Sequence, residues 1–498
     1  MNNNLFTKSD SFSQEYCATV VRIGEIQEIP NAKTVAKTIV NGRTIVVGKD
    51  TKEGDLMIYC SNESQLNADF LAANNLFSHT NLNCNAEEVQ QWLEQNADAS
   101  PEDQQEYLRK HRGYFDDNAR VRMKKLAGEL SMGVLFGIDA FKNWCPNLEA
   151  DLSELEGTDF DTVNGVLFVK AYVPKMKEVQ QRAPGDVRRN KRLKRFNRMV
   201  PGQFSFHYDT QLFERSMSRF NPDTMVTISN KLHGTSFIIG NIQVLAPRFN
   251  NKLYTKLFDK LPKFLQFTKK TYDVIYSSRS VVKNAYINPG KKGFSAGLDA
   301  CFDKYYELLK PYIPEGMTIY GEIVGYCEGS NTFIQKIGQG YDYRCKPGEN
   351  KLMIYRITTT DETGHKKEWN IDDVLSFTKD LKDLLVIKGN GELAGRLHPI
   401  DIFYHGKLGD LYKDLSTEHH WKEELLERMK NDKEHFGMEL NEPMCRNAVP
   451  REGIVIRIDD DVIPEAFKLK CLKFLGKEAQ VVDNGEVDAE MEERYTDC

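Results

Sequence analysis

The amino-acid sequence predicts a protein of the α+β class, in which a small N-terminal β-barrel domain precedes a larger domain of antiparallel sheets flanked by helices. Two observations support this prediction. The chain has 498 residues, of which 40% are hydrophobic and 28% charged, a balance that suits two or three globular domains. Strand-like and helical patterns also follow one another in irregular order, without the regular alternation that a parallel sheet requires.

Several classes of protein are excluded by composition. The mean hydropathy is −0.53, and no apolar run approaches the length of a membrane span. Residues 1–16 lack the apolar core and cleavage site of a secretory signal. The ten cysteines are scattered without a C-x-x-C pair, which fits neither a zinc site nor a disulfide framework. We therefore expect a cytoplasmic protein without a membrane partner, and a virus-encoded protein acting in the host cytoplasm stays open.

Charge is distributed unevenly along the chain. The net charge is −6, which on average argues against nucleic-acid binding. The segment from Lys175 to Arg198, however, contains ten basic and two acidic residues, and Glu486 to Asp497 is acidic. Such a basic segment can neutralise phosphates. A solvated linker accounts for it equally well.

The N-terminal part reads as a β module with a helical insertion. Residues 17–60 contain short β-branched runs separated by turn signals, and 86–95 have helical periodicity. Alternation in the stretch 118–135 places the basic side chains on one face of a strand, namely Arg120, Arg122 and Lys124. This face suits a barrel that binds a phosphate backbone, and it also suits an ordinary solvated strand.

The C-terminal part carries the candidate chemistry. Its predicted strands are 224–229, 235–244, 273–278, 317–325, 351–357 and 452–458, and its predicted helices lie near 295–310, 371–385 and 419–434. Lysines and glutamates occur on or next to these strands: Lys231 three residues before Gly234, Glu322 on one face with Tyr320, Glu452 at a strand start, and Lys468 with Lys470 on one strand face. Cations of this kind suit a polyphosphate, and the carboxylates suit Mg²⁺ or a ribose.

These residues lie in motifs that resemble, in order, motifs I, Ia, III, IIIa, IV and V of the covalent nucleotidyltransferases, which include polynucleotide ligases and mRNA-capping guanylyltransferases. The motifs are Lys231-Leu-His-Gly, Ser278-Arg279, Tyr320-Gly-Glu322-Ile, Leu352-Met-Ile-Tyr355, Glu452-Gly-Ile-Val and Lys468-Leu-Lys470. The His-Gly-Thr form of the first motif and the stretch 338–349 resemble the second bacteriophage RNA ligase type. Asn230 and Ser236 depart from that type.

The position of the predicted barrel in the sequence indicates which type of nucleotidyltransferase the chain resembles. Only 28 residues follow Lys470, too few for the C-terminal OB barrel of DNA ligases and capping enzymes. The candidate OB-like barrel comes first, which resembles the Naegleria-type RNA ligases. The predicted domains are an OB-like RNA-binding domain with a helical insertion (1–174), a basic linker (175–202), an adenylyltransferase domain (203–475) and an acidic tail (476–498).

The resemblance implies an ATP-dependent RNA ligase that seals 5′-phosphate and 3′-OH RNA ends through a covalent lysyl-AMP, as in RNA repair, with ATP and Mg²⁺ or Mn²⁺. It implies that Lys231 is the nucleophile, that Lys468 and Lys470 neutralise the α-phosphate, and that His233 acts after lysine adenylylation. It also implies that six residues bind the nucleotide, namely Arg279, Tyr320, Glu322, Tyr355, Glu452 and Gly234. Of these, Glu452 and Glu322 would also bind the metal.

Two alternatives remain beside this hypothesis. One is a GTP-dependent capping guanylyltransferase, which the missing C-terminal barrel disfavours. The other is a non-catalytic RNA-binding protein on a ligase fold. We expect a monomer, and the sequence does not identify the physiological RNA or distinguish a nicked duplex from single-stranded ends.

Overall fold

The structure is a computed structural model that describes residues 5–146, 148, 151–173, 199–207, 210–249, 251–257, 261–279, 282–283, 296–417, 420–459 and 465–484. Residues 175–198 of the predicted basic linker (175–202) and residues 485–498 of the predicted acidic tail lie outside the described residues. The chain divides into two compact units, Met1–Lys175 and Met176–Cys498. The four-part domain division read from the sequence stays a prediction. Among the described helices, none is long and apolar enough to cross a bilayer.

The described residues of the first unit form short strands and four α-helices. The strands are β1 (Phe6–Thr7), β2 (Ala18–Arg22), β3 (Gln27–Glu28), β4 (Val35–Val40), β5 (Arg43–Gly48), β6 (Leu56–Ser61), β7 (Ser64–Leu66), β8 (Lys124–Leu126), β9 (Glu129–Ser131), β10 (Gly133–Phe136), β11 (Asp159–Phe160), β12 (Thr162–Val163), β13 (Val166–Leu167) and β14 (Val169–Ala171). The helices described in this unit are α1 (Ala68–Ala73), α2 (Ala86–Gln95), α3 (Pro101–His111) and α4 (Ile138–Trp144).

These strands form separate antiparallel sheets. The largest has the order β10-β6-β2-β11, and β3-β4-β5 and β1-β12-β13 form three-stranded sheets. A cluster of phenylalanines fills the core, including Phe70, Phe141, Phe160 and Phe168. The predicted OB barrel is therefore not confirmed, since the strands among the described residues do not close into a barrel.

The predicted cationic strand face of the first unit is wrong. Arg120 is 3% exposed and forms an ion pair of 2.8 Å with Glu63. Arg122 pairs with Asp116 at 2.9 Å. Residues 121–123 are not in a regular strand, so the polar–apolar alternation here does not define two strand faces. Arg120 can be buried because a carboxylate neutralises its charge.

The second unit contains longer strands. They are β15 (Gln211–Leu212), β16 (Met225–Lys231), β17 (Thr235–Pro247), β18 (Thr268–Ser277), β19 (Val282–Lys283), β20 (Met317–Gly325), β21 (Lys336–Ile337), β22 (Gln339–Gly340), β23 (Asn350–Thr360), β24 (Lys366–Glu368), β25 (Leu397–Pro399), β26 (Ile402–Lys407), β27 (Gly453–Ile458) and β28 (Glu465–Lys470). The helices described in this unit are α5 (Lys252–Leu257), α6 (Ala296–Leu309), α7 (Ile371–Ile387), α8 (Gly391–Arg396), α9 (Trp421–Asn431) and α10 (Leu472–Asp483).

Two sheets organise the second unit. One has the order β15-β28-β27-β16-β26, and the other has the order β19-β18-β17-β20-β23-β24 with β25 beside β23. A shared hydrophobic core joins them, because Val226 and Ile456 of the first sheet and Val324 and Met353 of the second belong to one cluster. A further core lies between the second sheet and helices α6 and α7. The α+β class, the six predicted strands and the three predicted helices are confirmed, with boundary shifts of up to five residues.

Candidate active site

The candidate nucleophile Lys231 lies at the end of β16, where three strands of the first sheet are in register. Lys231 is opposite Gly453 on β27, and Gly453 is opposite Lys470 on β28. Residues directly opposite one another in an antiparallel sheet project from the same face. The two lysines therefore flank a residue that has no side chain.

Gly453 is required at this position by its backbone and by its neighbours. Its φ is +147°, a region that residues with a side chain seldom adopt. A Cβ added here would lie 2.1 Å from the carbonyl oxygen of Leu469. The glycine thus allows β27 and β28 to approach closely between the two lysines.

Glu452 supplies the negative charge between these cations. Its Oε1 is 2.6 Å from Lys231 Nζ and 3.9 Å from Lys470 Nζ, and its Oε2 is 3.7 Å from His233 Nδ1. Burial acts to raise the pKa of Glu452, but the charges of Lys231, His233 and Lys470 outweigh burial and lower it. Glu452 is therefore an ionised carboxylate that holds the candidate nucleophile in place.

The loop after Lys231 is held through its backbone. The amide N–H of His233 donates to the hydroxyl of Tyr343 at 2.8 Å, and that hydroxyl donates to the carbonyl of His233 at 3.3 Å. Gln335 donates from Nε2 to the carbonyl of Gly234 at 2.8 Å. The His233 ring packs edge-on against Tyr341 and Phe474 at 5.0 and 5.2 Å. Its Nε2 is buried and has no hydrogen-bond partner among the described residues.

Gly234 brings this loop against the second sheet. A Cβ at Gly234 would lie 2.8 Å from Cγ of Glu322 and 2.5 Å from the carbonyl oxygen of Ile323. On the next strand, Ser236 is opposite Glu322. The candidate ribose-binding carboxylate on β20 is thus a direct neighbour of the candidate nucleophile's loop, and the two sheets meet at this point.

A β-bulge distinguishes the two tyrosines predicted to contact the nucleotide. Tyr320 pairs with Arg356 and Gly321 with Ile354, so Tyr355 is the extra residue on β23. Bulges redirect a side chain out of the regular alternation. Burial, followed by the charge of Glu322, raises the pKa of Tyr355, and its hydroxyl is 3.2 Å from His207 Nδ1. Tyr355 therefore lies close to Glu322.

Tyr320 is engaged inside the protein. Its side chain is fully buried, its hydroxyl donates to the carbonyl of Ser205 at 3.0 Å, and Arg356 lies over its ring at 4.3 Å. This arrangement supports the strand that carries Glu322 rather than presenting a polar group to a ligand.

The other two predicted residues lie at the edges of this site. β18 ends at Ser277 opposite Ile238, so Arg279 follows the strand at the end of the sheet where β17 begins. Lys468 is opposite Val455 on β27, two residues from Lys470 and hence on the same strand face. It is 7% exposed. The predicted opposite face is confirmed, since Phe467, Leu469 and Cys471 are in the core.

Helix α10 contributes contacts that the sequence did not indicate. Glu478 forms an ion pair with Lys470 at 3.2 Å, and Lys470 also lies 5.2 Å from the centre of the Phe474 ring. Glu439 caps the helix by accepting the amide N–H of Lys473 at 2.9 Å. The residues after the last motif thus fold back onto the site. The first eight residues of the predicted acidic tail (476–483) belong to this helix.

The residues fit a divalent cation that arrives with phosphates. Among the described residues there is no group of three or more His, Cys, Asp or Glu side chains arranged to hold a metal ion. Mg²⁺ usually binds through one or two carboxylates together with substrate phosphates. Oε2 of Glu452 is buried and accepts no hydrogen bond from a described residue, so it is suited to this role. Glu322 is the other carboxylate of the site.

The chain has similarity to known proteins at the level of structure. No family model matches it, and no curated protein matches it. It is similar in structure to a mutant of Naegleria gruberi RNA ligase with ATP and Mn, with a TM-score of 0.49, 15% identity and coverage of 92% of this chain and 98% of that chain. It is also similar to Naegleria gruberi RNA ligase with pyrophosphate, with a TM-score of 0.49, 16% identity and coverage of 93% and 98%. Similarity of this degree assigns neither a reaction nor a substrate.

Proposed function

We propose that the protein is an ATP-dependent RNA ligase in which Lys231 becomes covalently adenylylated. The observation that carries the proposal is the arrangement of Lys231, Glu452 and Lys470 across three adjacent strands. A buried carboxylate between two lysines, next to a second sheet with its own carboxylate, suits a nucleoside triphosphate and its counter-ion. The choice of ATP and of RNA follows from the motif resemblance described above.

In the first step, Nζ of Lys231 attacks the α-phosphorus of ATP. The bond from that phosphorus to the bridging oxygen breaks, pyrophosphate leaves, and a phosphoramide to AMP forms. Glu452 orients the amine at 2.6 Å. The nitrogen of Lys231 gives up a proton as the phosphoramide forms. That proton leaves to solvent, since the Lys231 side chain is 23% exposed.

The remaining cations act on the phosphates. Lys470 and Lys468 neutralise negative charge on the α-phosphate as the bonds change, which is the main task of a protein in phosphoryl transfer. Glu452 and Glu322 are the residues that would hold a Mg²⁺ or Mn²⁺ ion, which would supply further neutralisation of the phosphates when bound. Glu322 also binds the ribose, and Tyr355 stacks on the adenine. Arg279 contacts a phosphate.

Two further steps join the RNA. The 5′-phosphate of one strand attacks the phosphorus of lysyl-AMP, which frees Lys231 and leaves AMP on the RNA end. The 3′-OH of the other strand then attacks the 5′-phosphate, its proton is lost, and AMP departs. His233 contributes after lysine adenylylation, and the N-terminal unit contributes to RNA binding.

The direct test is covalent labelling. The full chain is incubated with α-labelled ATP or α-labelled GTP and Mg²⁺ or Mn²⁺, and the label is read on denaturing gels. We expect a label from ATP that is lost in Lys231→Ala. Lys379→Ala is the matched control, because Lys379 is an exposed lysine on α7 whose side chain is 78% exposed. It should label like the unmodified protein.

The same assay separates the alternatives. A label from GTP alone would replace the proposal with a capping guanylyltransferase. Absence of any label in folded protein would leave an RNA-binding protein without catalysis. If the label forms from ATP but RNA with a 5′-phosphate and a 3′-OH is not sealed, the nucleotidyltransferase proposal stands and the RNA ligase proposal fails.

A further inference from the structure

The hairpin between β17 and β18 ends in a segment that is rich in exposed apolar and basic residues. We call residues 248–270 the tip segment. Six large apolar side chains are exposed there: Phe249 by 50%, Leu253 by 67%, Leu257 by 39%, Phe264 by 77%, Leu265 by 40% and Phe267 by 49%. Three of the four strongly exposed phenylalanines in the described part of the chain lie in this segment. Such a concentration marks an interaction surface.

The exposed rings are held in place by a specific set of contacts. Tyr254 donates its hydroxyl to the carbonyl of Leu265 at 2.8 Å and accepts the amide N–H of Phe267 at 2.8 Å. The rings of Tyr254 and Phe267 lie edge-on to Phe249 at 5.5 and 6.0 Å. The amide of Arg248 donates to the carbonyl of Phe267 at 2.8 Å. The tip segment is therefore closed by hydrogen bonds that do not use its exposed rings.

The charge of the segment indicates the kind of partner. Between residues 248 and 270 the sequence has seven basic residues and one acidic residue. Arg248, Lys269 and Lys270 are exposed. A surface that combines rings with many cations is complementary to a chain of stackable bases and phosphates.

We propose that the described residues of the tip segment bind single-stranded RNA, with bases stacked on Phe264, Phe249 and Phe267 and phosphates neutralised by Arg248, Lys269 and Lys270. This inference rests on the proposed function, since it assigns one RNA strand of the ligation reaction to this surface. An anionic lipid surface has similar chemistry. The three ring faces favour RNA, because bases stack on aromatic side chains.

The distance to the candidate nucleophile makes the proposal specific. β17 runs from Thr235, beside the site, to Pro247, beside the tip segment. Its thirteen residues cover up to about 40 Å at about 3.3 Å per residue. A stacked strand at about 3.4 Å per nucleotide needs about 12 nucleotides to reach from one to the other. An RNA strand whose end lies at the candidate nucleophile should therefore reach the tip segment only if it has about 12 nucleotides or more.

The experiment compares two lengths of RNA. Binding of single-stranded RNA of about 24 and about 4 nucleotides to the full chain is measured by fluorescence anisotropy at several salt concentrations. In Phe264→Ala we expect the Kd of the long RNA to rise by about 5-fold or more, as for the loss of one stacked base. The Kd of the short RNA should rise less, because a strand of about 4 nucleotides can bind at the candidate active site without the tip segment. Lys269→Glu with Lys270→Glu should weaken long-RNA binding and reduce its salt dependence.

Matched controls lie outside the segment. Ile387 at the end of α7 is 79% exposed, so Ile387→Ala removes an exposed apolar group elsewhere. Lys379→Glu with Lys388→Glu reverses two charges on and beside the same helix. Neither control should change binding of the long RNA. Thermal unfolding serves as the test of folding, because it needs neither RNA nor a covalent nucleotide.

Specific results would overturn the proposal. Unchanged binding of the long RNA in the tip variants, or equal losses for both lengths, would do so. Flotation of the protein with vesicles of phosphatidylcholine and phosphatidylserine, lost in Phe264→Ala while RNA binding is unchanged, would assign the surface to lipid instead. If the tip variants lose long-RNA binding but the unmodified protein forms no lysyl-AMP, the RNA surface stands and only the proposed function fails.

Discussion

The hydroxyl of Tyr343 engages both backbone polar groups of His233, accepting its amide N–H at 2.8 Å and donating to its carbonyl oxygen at 3.3 Å. Tyr343, which we call the clamp, and the next residue Arg344 have an unusual backbone conformation, with φ values of +42° and +56°. Two consecutive non-glycine residues in this region cost free energy that the surroundings must supply. The loop that follows the candidate nucleophile is thus fixed by a distant segment of the chain.

Tyr343→Phe should slow lysine adenylylation without loss of ATP binding. The substitution removes both hydrogen bonds and leaves the buried N–H of His233 unsatisfied, which costs about 1–3 kcal/mol. We expect kcat for adenylylation to fall by about 10-fold and the KM for ATP to stay within about 2-fold, because the clamp positions the loop and does not contact nucleotide.

The matched control is Tyr305→Phe. Tyr305 is also fully buried and donates its hydroxyl to a backbone carbonyl, that of Asn350, at 3.3 Å. It should lose a similar amount of stability and keep its kcat. Equal kcat values for Tyr343→Phe and the control would contradict a positioning role for Tyr343.

Much of this site could be predicted because it is local in sequence. Lys231 to Gly234, Glu452 and the pair Lys468 and Lys470 lie at the ends of strands whose apolar alternation is clear, and the alternation correctly placed Phe467 and Leu469 in the core. Pairing of the three strands then follows from the sheet order. What the sequence could not provide was the register that aligns Lys231, Gly453 and Lys470.

The contacts that were missed join residues far apart in the chain. Tyr343 is 110 residues from His233, and no periodic pattern relates the two positions. Glu478 lies in a stretch that the sequence presents as the start of an acidic tail, yet it pairs with Lys470. The prediction of an exposed Arg120 is wrong for the same reason: the alternation around Arg120 indicates an exposed face, but its ion-pair partner Glu63 is 57 residues away in the sequence.

Glu452→Gln should destabilise the protein in a pH-dependent way. The carboxylate lies beside the amino groups of Lys231 and Lys470 and the ring of His233, and removing one partner of a buried ion pair costs about 3 kcal/mol. Since the pKa of Glu452 is lowered in the folded protein, its stabilisation is complete above about pH 4.3 and is lost as the pH falls through the folded pKa.

We therefore expect the difference in unfolding free energy between Glu452→Gln and the unmodified protein to be largest at pH 7 and to shrink below about pH 4.3. Denaturant unfolding across a pH series measures it. Glu392→Gln is the control, because Glu392 is 77% exposed in its ion pair with Arg396 and should change stability by less than about 1 kcal/mol. A difference for Glu452→Gln that does not change with pH would disprove the assignment of an ionised carboxylate.

Replacing each of two glycines near the site by alanine should change the free energy of unfolding in opposite directions. Gly453→Ala places a Cβ 2.1 Å from the carbonyl oxygen of Leu469 at a φ of +147°, so we expect a loss of about 3 kcal/mol. Gly476 lies inside α10 with nothing within 4 Å of an added Cβ. Gly476→Ala should gain about 1 kcal/mol from helix propensity.

Thermal and denaturant unfolding of the two glycine variants measures whether each substitution raises or lowers the free energy of unfolding. A neutral Gly453→Ala would mean that β27 and β28 do not approach each other as the structure describes. A destabilising Gly476→Ala would place a neighbour against α10 that is not among the described residues.

Substitutions of the two tyrosines in the nucleotide motifs should have different effects on the KM for ATP. Tyr355 is redirected by the bulge next to Glu322, and we propose that its ring stacks on adenine. Tyr355→Ala should raise the KM for ATP by about 10-fold, within the range for loss of one base–ring stack. Tyr355→Phe keeps the ring, so its KM for ATP should stay within about 2-fold of that of the unmodified protein. Tyr320→Phe removes the hydrogen bond to the Ser205 carbonyl, so stability should fall by about 1 kcal/mol while the KM for ATP is unchanged. A rise in KM for Tyr320→Phe, with none for Tyr355→Ala, would exchange the roles of the two residues.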